Sequence, residues 1–217
     1  MTVRQPILVL GAGSWGTALA LVLARNSHDV WLWSRNSAHV KQMIVARQNT
    51  QFLPNYHFPD ALQPISNLEE YVPQVNHIVV VVPSHGFRET LNHIAPHMTT
   101  NACVCWATKG LENETGLLLH QVAEQVLGSE RQLGVLSGPS FAKEVAAGLP
   151  TAVTVASNSA HYTQELVKLF HNRHLRLYTS TDLTGVQLGG AVKNIMAIAA
   201  GIADGLGFGA NTRAALI

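Results

Sequence analysis

Gly11-Ala12-Gly13-Ser14-Trp15-Gly16 has the spacing G-x-G-x-x-G, directly after the apolar run Ile7–Leu10 and at the head of a helix carrying Thr17-Ala18-Leu19-Ala20. Strand, glycine turn and helix in that order are the context in which this motif holds a dinucleotide. Gly11 permits the tight turn, Gly13 lets the backbone approach a pyrophosphate, and Gly16 lets the helix pack on the strand. Unpaired N–H groups at the helix start, aided by its dipole, attract the anion. Where an NAD-specific site usually places an acid for the ribose 2′-hydroxyl, this chain has Ser34-Arg35-Asn36. An arginine binds a 2′-phosphate bidentately and a serine donates to it. The expected cofactor is NADP or NAD, with NADP favoured; a solvated surface arginine is the competing reading of Arg35.

Two lysines stand where proton-transfer chemistry needs them. Lys109 follows a strand ending at Ala107 and precedes Gly110, at the carboxyl edge where open α/β sheets bind ligands. Lys193 lies beside Asn194 in an otherwise small and apolar stretch, residues 189–201. Desolvation and a neighbouring cation both lower a lysine pKa toward the range useful for acid–base work. Such a group suits an oxidoreductase, beside the carbonyl carbon that exchanges hydride. For Lys193 alone, a snorkelling surface lysine is the competing reading. Other chemistry finds no pattern. Cys103 and Cys105, spaced i, i+2, read as small core hydrophobes in a reducing compartment. Eleven scattered His give no zinc spacing, and neither G-x-S-x-G nor a Walker A run occurs.

The elements that must position these groups alternate β and α. Ile7–Leu10, Val30–Trp33 and residues 78–82, 104–107, 135–137, 151–155 and 175–178 read as strands. Helical stretches between them cover residues 15–26, 38–47, 87–94, 117–127, 141–147 and 160–170. The run 78–82 is apolar on both faces, as in a parallel sheet covered by helices. The fold class expected is therefore α/β: a Rossmann-like, doubly wound, mostly parallel sheet followed by the start of an all-α domain. Residues 49–73, with four prolines, read as an ordered surface excursion. Asp182 caps a long helix to about Gly205, which places the boundary between a dinucleotide domain, 1–181, and part of a helical substrate domain, 182–217.

With 47% hydrophobic and 12% charged residues, the chain is too apolar for disorder and reads as a soluble globular protein. A net charge of +1, from 14 Lys+Arg and 13 Asp+Glu, leaves no footprint for nucleic acid. No consecutive apolar run, the five residues 78–82 included, approaches the roughly 18 of a membrane span. The charged share is half the usual ~25%, which points to surface covered by a partner or by further chain. The sequence stops within a helix-like run at Ile217. The expectation is a piece of a longer enzyme that binds NADP(H) but turns substrate over poorly alone, with the small-residue face of its last long helix uncovered.

Gly11-Ala-Gly-Ser-Trp-Gly-Thr-Ala-Leu-Ala20, Ala107-Thr-Lys-Gly110, Leu136-Ser-Gly-Pro-Ser-Phe-Ala142 and Ala191-Val-Lys-Asn-Ile195 occur in this order. Together they closely resemble the bacterial NAD(P)-dependent sn-glycerol-3-phosphate dehydrogenases. The resemblance covers the whole chain, while the family continues for roughly another hundred residues of helical domain. It implies that Ser14, Trp15, Arg35 and Ala142 contact the dinucleotide, together with the backbone of Gly11, Gly13 and Gly16. Lys109 would touch both cofactor and substrate. Gly138, Ser140 and Asn194 would lie by the substrate, and Lys193 matches the proton acceptor. Ser140 also reads as a helix N-cap. The implied reaction is the reversible reduction of dihydroxyacetone phosphate to sn-glycerol 3-phosphate, feeding phospholipid synthesis in the cytoplasm. The implied partners are a small phosphate substrate and a second copy in a homodimer. Two alternatives stay open: a related two-domain dehydrogenase for another hydroxy acid or sugar acid, and a dinucleotide-sensing module without turnover.

Overall fold

The computed structural model describes residues 6–216; Ile217 and the side chain of Asn194, both singled out above, lie outside the described residues. In chain order the elements are β1 (Ile7–Leu10), α1 (Ser14–Arg25), β2 (Val30–Trp33), α2 (Ser37–Ala46), β3 (Gln48–Asn49), β4 (Leu53–His57), β5 (Leu62–Ile65) and α3 (Leu68–Tyr71). Then come β6 (His77–Val80), α4 (Phe87–Ile94), β7 (Cys103–Trp106), α5 (Leu119–Leu127), β8 (Leu133–Ser137) and α6 (Ala142–Ala147). The last are β9 (Thr151–Ser157), α7 (Ala160–Phe170), β10 (Leu175–Ser180), α8 (Leu183–Gly205) and α9 (Ala210–Leu216).

Eight strands form one sheet in the order β10-β9-β8-β7-β6-β1-β2-β5. All its neighbours are parallel except β8 and β9. Alternating side chains of the central strands feed two cores. Leu8, Leu10, Ile78, Val80, Val104 and Trp106 pack toward α4 and α5. Ile7, Val9, Val79, Cys103 and Cys105 pack on the opposite face, toward α1, α6 and α7. Both cysteines are free and buried, and burial pushes the Cys103 thiol up to about 11. They are core residues without thiolate chemistry.

Residues 49–73 depart from the expected surface excursion. Pro64 sits inside β5, opposite Leu32 of β2, and Pro54 sits inside β4. A proline is tolerated there because β5 is the sheet edge, where a missing N–H has no partner to lose.

The Asp182 side chain accepts the Gly185 N–H at 2.7 Å and starts α8. This helix lies against β8 and β9. Gln187 ties it to α5, accepting the His120 N–H at 3.1 Å and standing 2.9 Å from His120 Nδ1. At Gly190 a Cβ would collide with the Ser137 hydroxyl, so only glycine lets the helix approach β8 so closely. Gly189 and Gly201, by contrast, face open space. Beyond this contact Ile195, Ile198 and Ile202 are exposed. With 23 residues and a mean hydropathy of 1.4 in an 18-residue window, α8 is long and apolar enough by length and composition to cross a membrane. A count of consecutive apolar residues passes over it because Gln187 and Lys193 interrupt the run.

Candidate active site

The chain turns sharply where β1 ends. Gly11 has φ +115°, a backbone region that disfavours side chains, and a Cβ there would lie 2.8 Å from the Val81 carbonyl oxygen. Val81 follows β6, and β1 and β6 are adjacent strands whose connections run to opposite ends of the sheet. That is the switch point at which open α/β sheets bind ligands. At Gly16 a Cβ would overlap the Gly11 carbonyl oxygen. Gly13 is the N-cap of α1 with no side-chain cap, and the space where its Cβ would stand is empty. The first-turn N–H groups thus face an open cradle, and a diphosphate fits it.

This cradle is one wall of a cavity of about 1010 Å³. Ser34 and Arg35 line one end, and Lys109, Ser140 and Ala142 line another. Gly11, Gly13, Ser14, Trp15 and Gly16 lie between. A second cavity, of about 330 Å³, is lined by Ser137, Gly138, Gly190 and Lys193. Lys109 joins the two, because its Nζ donates to the Gly138 carbonyl at 3.1 Å. The structure therefore divides the expected site residues between two adjoining cavities.

Burial lowers the pKa of Lys109, and the ammonium of Lys193 lowers it further. Lys193 is half-buried, and its Nζ lies 5.4 Å from the centre of the Phe141 ring. Phe141, 65% exposed and lining the larger cavity, was not anticipated from the sequence. Nothing in its local pattern marks it apart from its place next to Ser140. Ser140 is not the N-cap of α6; Phe141 holds that position, and the Ser140 hydroxyl stands 3.5 Å from the Gly138 carbonyl.

The segment after Lys109 is pinned by charge. Arg88 grips both Glu112 oxygens, at 2.6 and 2.9 Å, and the Thr115 hydroxyl adds a bond. These bonds hold the Glu112 carboxyl down to about 2, against an ordinary 4.5. A depressed carboxylate stabilises the fold fully above its ordinary pKa and loses that contribution as pH falls toward the folded value. Residues 109–118 are therefore expected to loosen between about pH 4.5 and pH 2, and to be loose at all pH in Arg88→Ala. Amide exchange across this segment as a function of pH reads the effect. Exchange that is equally slow in wild type and Arg88→Ala at neutral pH would refute it.

Two buried polar residues were also missed. Asn49 is fully buried and bonds Ala12, Thr17 and Phe52, and His39 Nε2 stands 3.0 Å from its Oδ1. No cluster of His, Cys, Asp or Glu able to hold a metal occurs among the described residues.

The profile of the family described as NAD-dependent glycerol-3-phosphate dehydrogenase, N-terminus, matches residues 6–163, and that of its C-terminus matches residues 182–217. The chain is 55% identical over 97% of its length to a protein of Nitrosococcus oceani named glycerol-3-phosphate dehydrogenase (NAD(P)+). It is 51% identical over its whole length to the protein of that name from Haemophilus influenzae. These alignments cover 61% and 65% of the two relatives, so the chain spans less than two thirds of either. A crystal structure of glycerol-3-phosphate dehydrogenase from Coxiella burnetii superposes with a TM-score of 0.91 at 47% identity, covering 98% of this chain and 65% of that one.

Proposed function

Because the chain belongs to the NAD-dependent glycerol-3-phosphate dehydrogenase family, we propose that it interconverts sn-glycerol 3-phosphate and dihydroxyacetone phosphate with NADP(H) or NAD(H). One observation carries the reading. Lys109, in the dinucleotide-sized cavity, reaches Gly138 on the rim of the cavity that holds Lys193, so cofactor and proton donor meet at one point.

In this reading Gly11, Gly13, Ser14, Trp15 and Gly16 hold the diphosphate, Arg35 the adenosine end, and Ala142 the nicotinamide side. Residues 1–181 form the dinucleotide domain and residues 182–217 belong to a helical substrate domain, the division at which Asp182 caps α8. Bound there, the nicotinamide supplies the hydride exchanged with the C2 carbonyl carbon of the substrate. Lys193 Nζ gives a proton to the oxygen of that carbonyl as it becomes an alcohol, and takes it back in the reverse direction. Lys109 polarises the same oxygen, its pKa lowered by burial and by the charge of Lys193. Gly138, Ser140 and Asn194 position the substrate. The product supplies phospholipid synthesis, the compartment is the cytoplasm, and the exposed Ile195, Ile198 and Ile202 of α8 support a homodimer that covers them.

The test is consumption of NADPH by the full-length protein with dihydroxyacetone phosphate, followed by absorbance. Turnover with another hydroxy acid or sugar acid, and none with this substrate, would overturn the substrate. The cofactor assignment has its own check. Arg35→Asp replaces a charge-assisted pair by repulsion, so NADPH binding is expected to weaken by about 2–3 kcal/mol, and NADH binding by much less. Equal losses in a fluorescence titration would mean that Arg35 does not read the 2′-phosphate.

A further inference from the structure

Beneath the Ser34 end of the larger cavity lies a chain of hydrogen bonds that no role above uses. His39 is 4% exposed and Asn49 is fully buried. Asn49 cannot be turned end for end. The Ala12 carbonyl only accepts, so the amide nitrogen must face it, at 2.9 Å, and the Phe52 N–H only donates, so Oδ1 must face that, at 3.1 Å. His39 Nε2 stands 3.0 Å from the same Oδ1 and must therefore carry the hydrogen. In the neutral ring Nδ1 is then bare. It lies 3.4 Å from Ser34 Oγ, so the Ser34 hydroxyl donates to the ring. One lone pair of that oxygen receives the Asn36 N–H at 3.3 Å, and the other is left for the cavity that Ser34 lines.

We propose that His39 is a positioning residue for cofactor choice, which claims the Ser34 proton and leaves Ser34 an acceptor for the ribose 2′-hydroxyl of NAD(H). The proposal rests on the reading of this cavity as a dinucleotide site. It reverses the sequence-based expectation that Ser34 donates to a 2′-phosphate. A phosphate oxygen offers only lone pairs and is repelled by another lone pair, whereas a hydroxyl has a proton to give. Arg35, the next residue, has the opposite preference. Two neighbours thus read two cofactors, and Asn49 ties that reading to the glycine turn through the Ala12 carbonyl.

The experiment is calorimetric titration of the full-length protein with NADH and, separately, NADPH. In Ser34→Ala, NADH is expected to weaken about three- to ten-fold, the worth of one neutral hydrogen bond, with NADPH within about two-fold of wild type. In His39→Leu the hydroxyl is freed to donate, so NADH weakens by about the same factor while NADPH tightens. His39→Gln keeps a donor toward Asn49 and an acceptor toward Ser34, and restores the wild-type ratio. Equal losses of both cofactors in His39→Leu and Ser34→Ala would reduce these residues to structural roles and overturn the proposal. Independently of any ligand, two-bond proton–nitrogen spectra of the ring must show Nε2 protonated; the Nδ1–H tautomer would overturn it as well. Failure of the wild type to bind either dinucleotide would instead overturn the cavity assignment beneath it.

Discussion

Lys193→Met is expected to lower turnover by about 10²-fold or more, the usual worth of a positioned acid–base group, with NADPH affinity within a few-fold of wild type. The separation of the two effects follows from geometry. Lys193 lines the smaller cavity with Gly138 and Gly190, while the dinucleotide-sized cavity is lined by the glycine turn, Arg35 and Lys109. Methionine keeps the length and loses the proton. Burial continues to lower the pKa of Lys109, but the same change removes the further lowering by the Lys193 charge, so that pKa should rise part of the way toward its ordinary value. The residual activity should then extend to higher pH than in wild type. Single-turnover rates and a pH profile check both parts, and near-normal turnover in this variant would sink the assignment of the proton donor.

The second large effect concerns the cradle, where two alanines that look alike should behave differently. Gly16→Ala forces a methyl into the Gly11 carbonyl, which is backbone and cannot swing away. It should cost about 1–3 kcal/mol of stability and distort the turn. Gly13→Ala puts the methyl into empty space, so the melting temperature should hardly move. Yet that space borders the cavity, and a methyl there stands between the first-turn N–H groups and a diphosphate. The loss of two charge-assisted hydrogen bonds, each worth about 1.5–3 kcal/mol, weakens NADPH by about 10²-fold or more. Thermal melts beside titrations decide the matter. A Gly13→Ala protein with normal affinity would show that the diphosphate lies elsewhere.

What the sequence made legible was local and periodic. The apolar run before Gly11, the glycine spacing and the Asp182 cap each depend on neighbours within a turn, and each element formed where the pattern put it. Lys109 was readable because strand ends in such sheets face ligands. Pro64 misled, since a proline argues against a strand unless the strand is at the edge, and edge position is a property of the whole sheet. Asn49 and His39 were invisible for a related reason. The Asn49 partners Thr17 and Ala12 lie 32 and 37 residues away and His39 lies 10 away, and neither residue type in that stretch signals a buried network. The close approach of α8 to β8 at Gly190 depends on the Ser137 hydroxyl opposite, a contact that no single-helix pattern contains.

The attachments of α8 make it a lever with its fulcrum near the chemistry. The Asp182 cap, the Gln187–His120 pair and the Gly190–Ser137 contact all lie in its first third. Lys193 is three residues past that pivot, about 4.5 Å along the axis, and Ile202 is twelve past it, about 18 Å. For any given swing, the lysine travels a quarter as far as the isoleucine. Geometry alone thus makes the position of the ammonium beside Lys109 the least sensitive to any tilt of the helix.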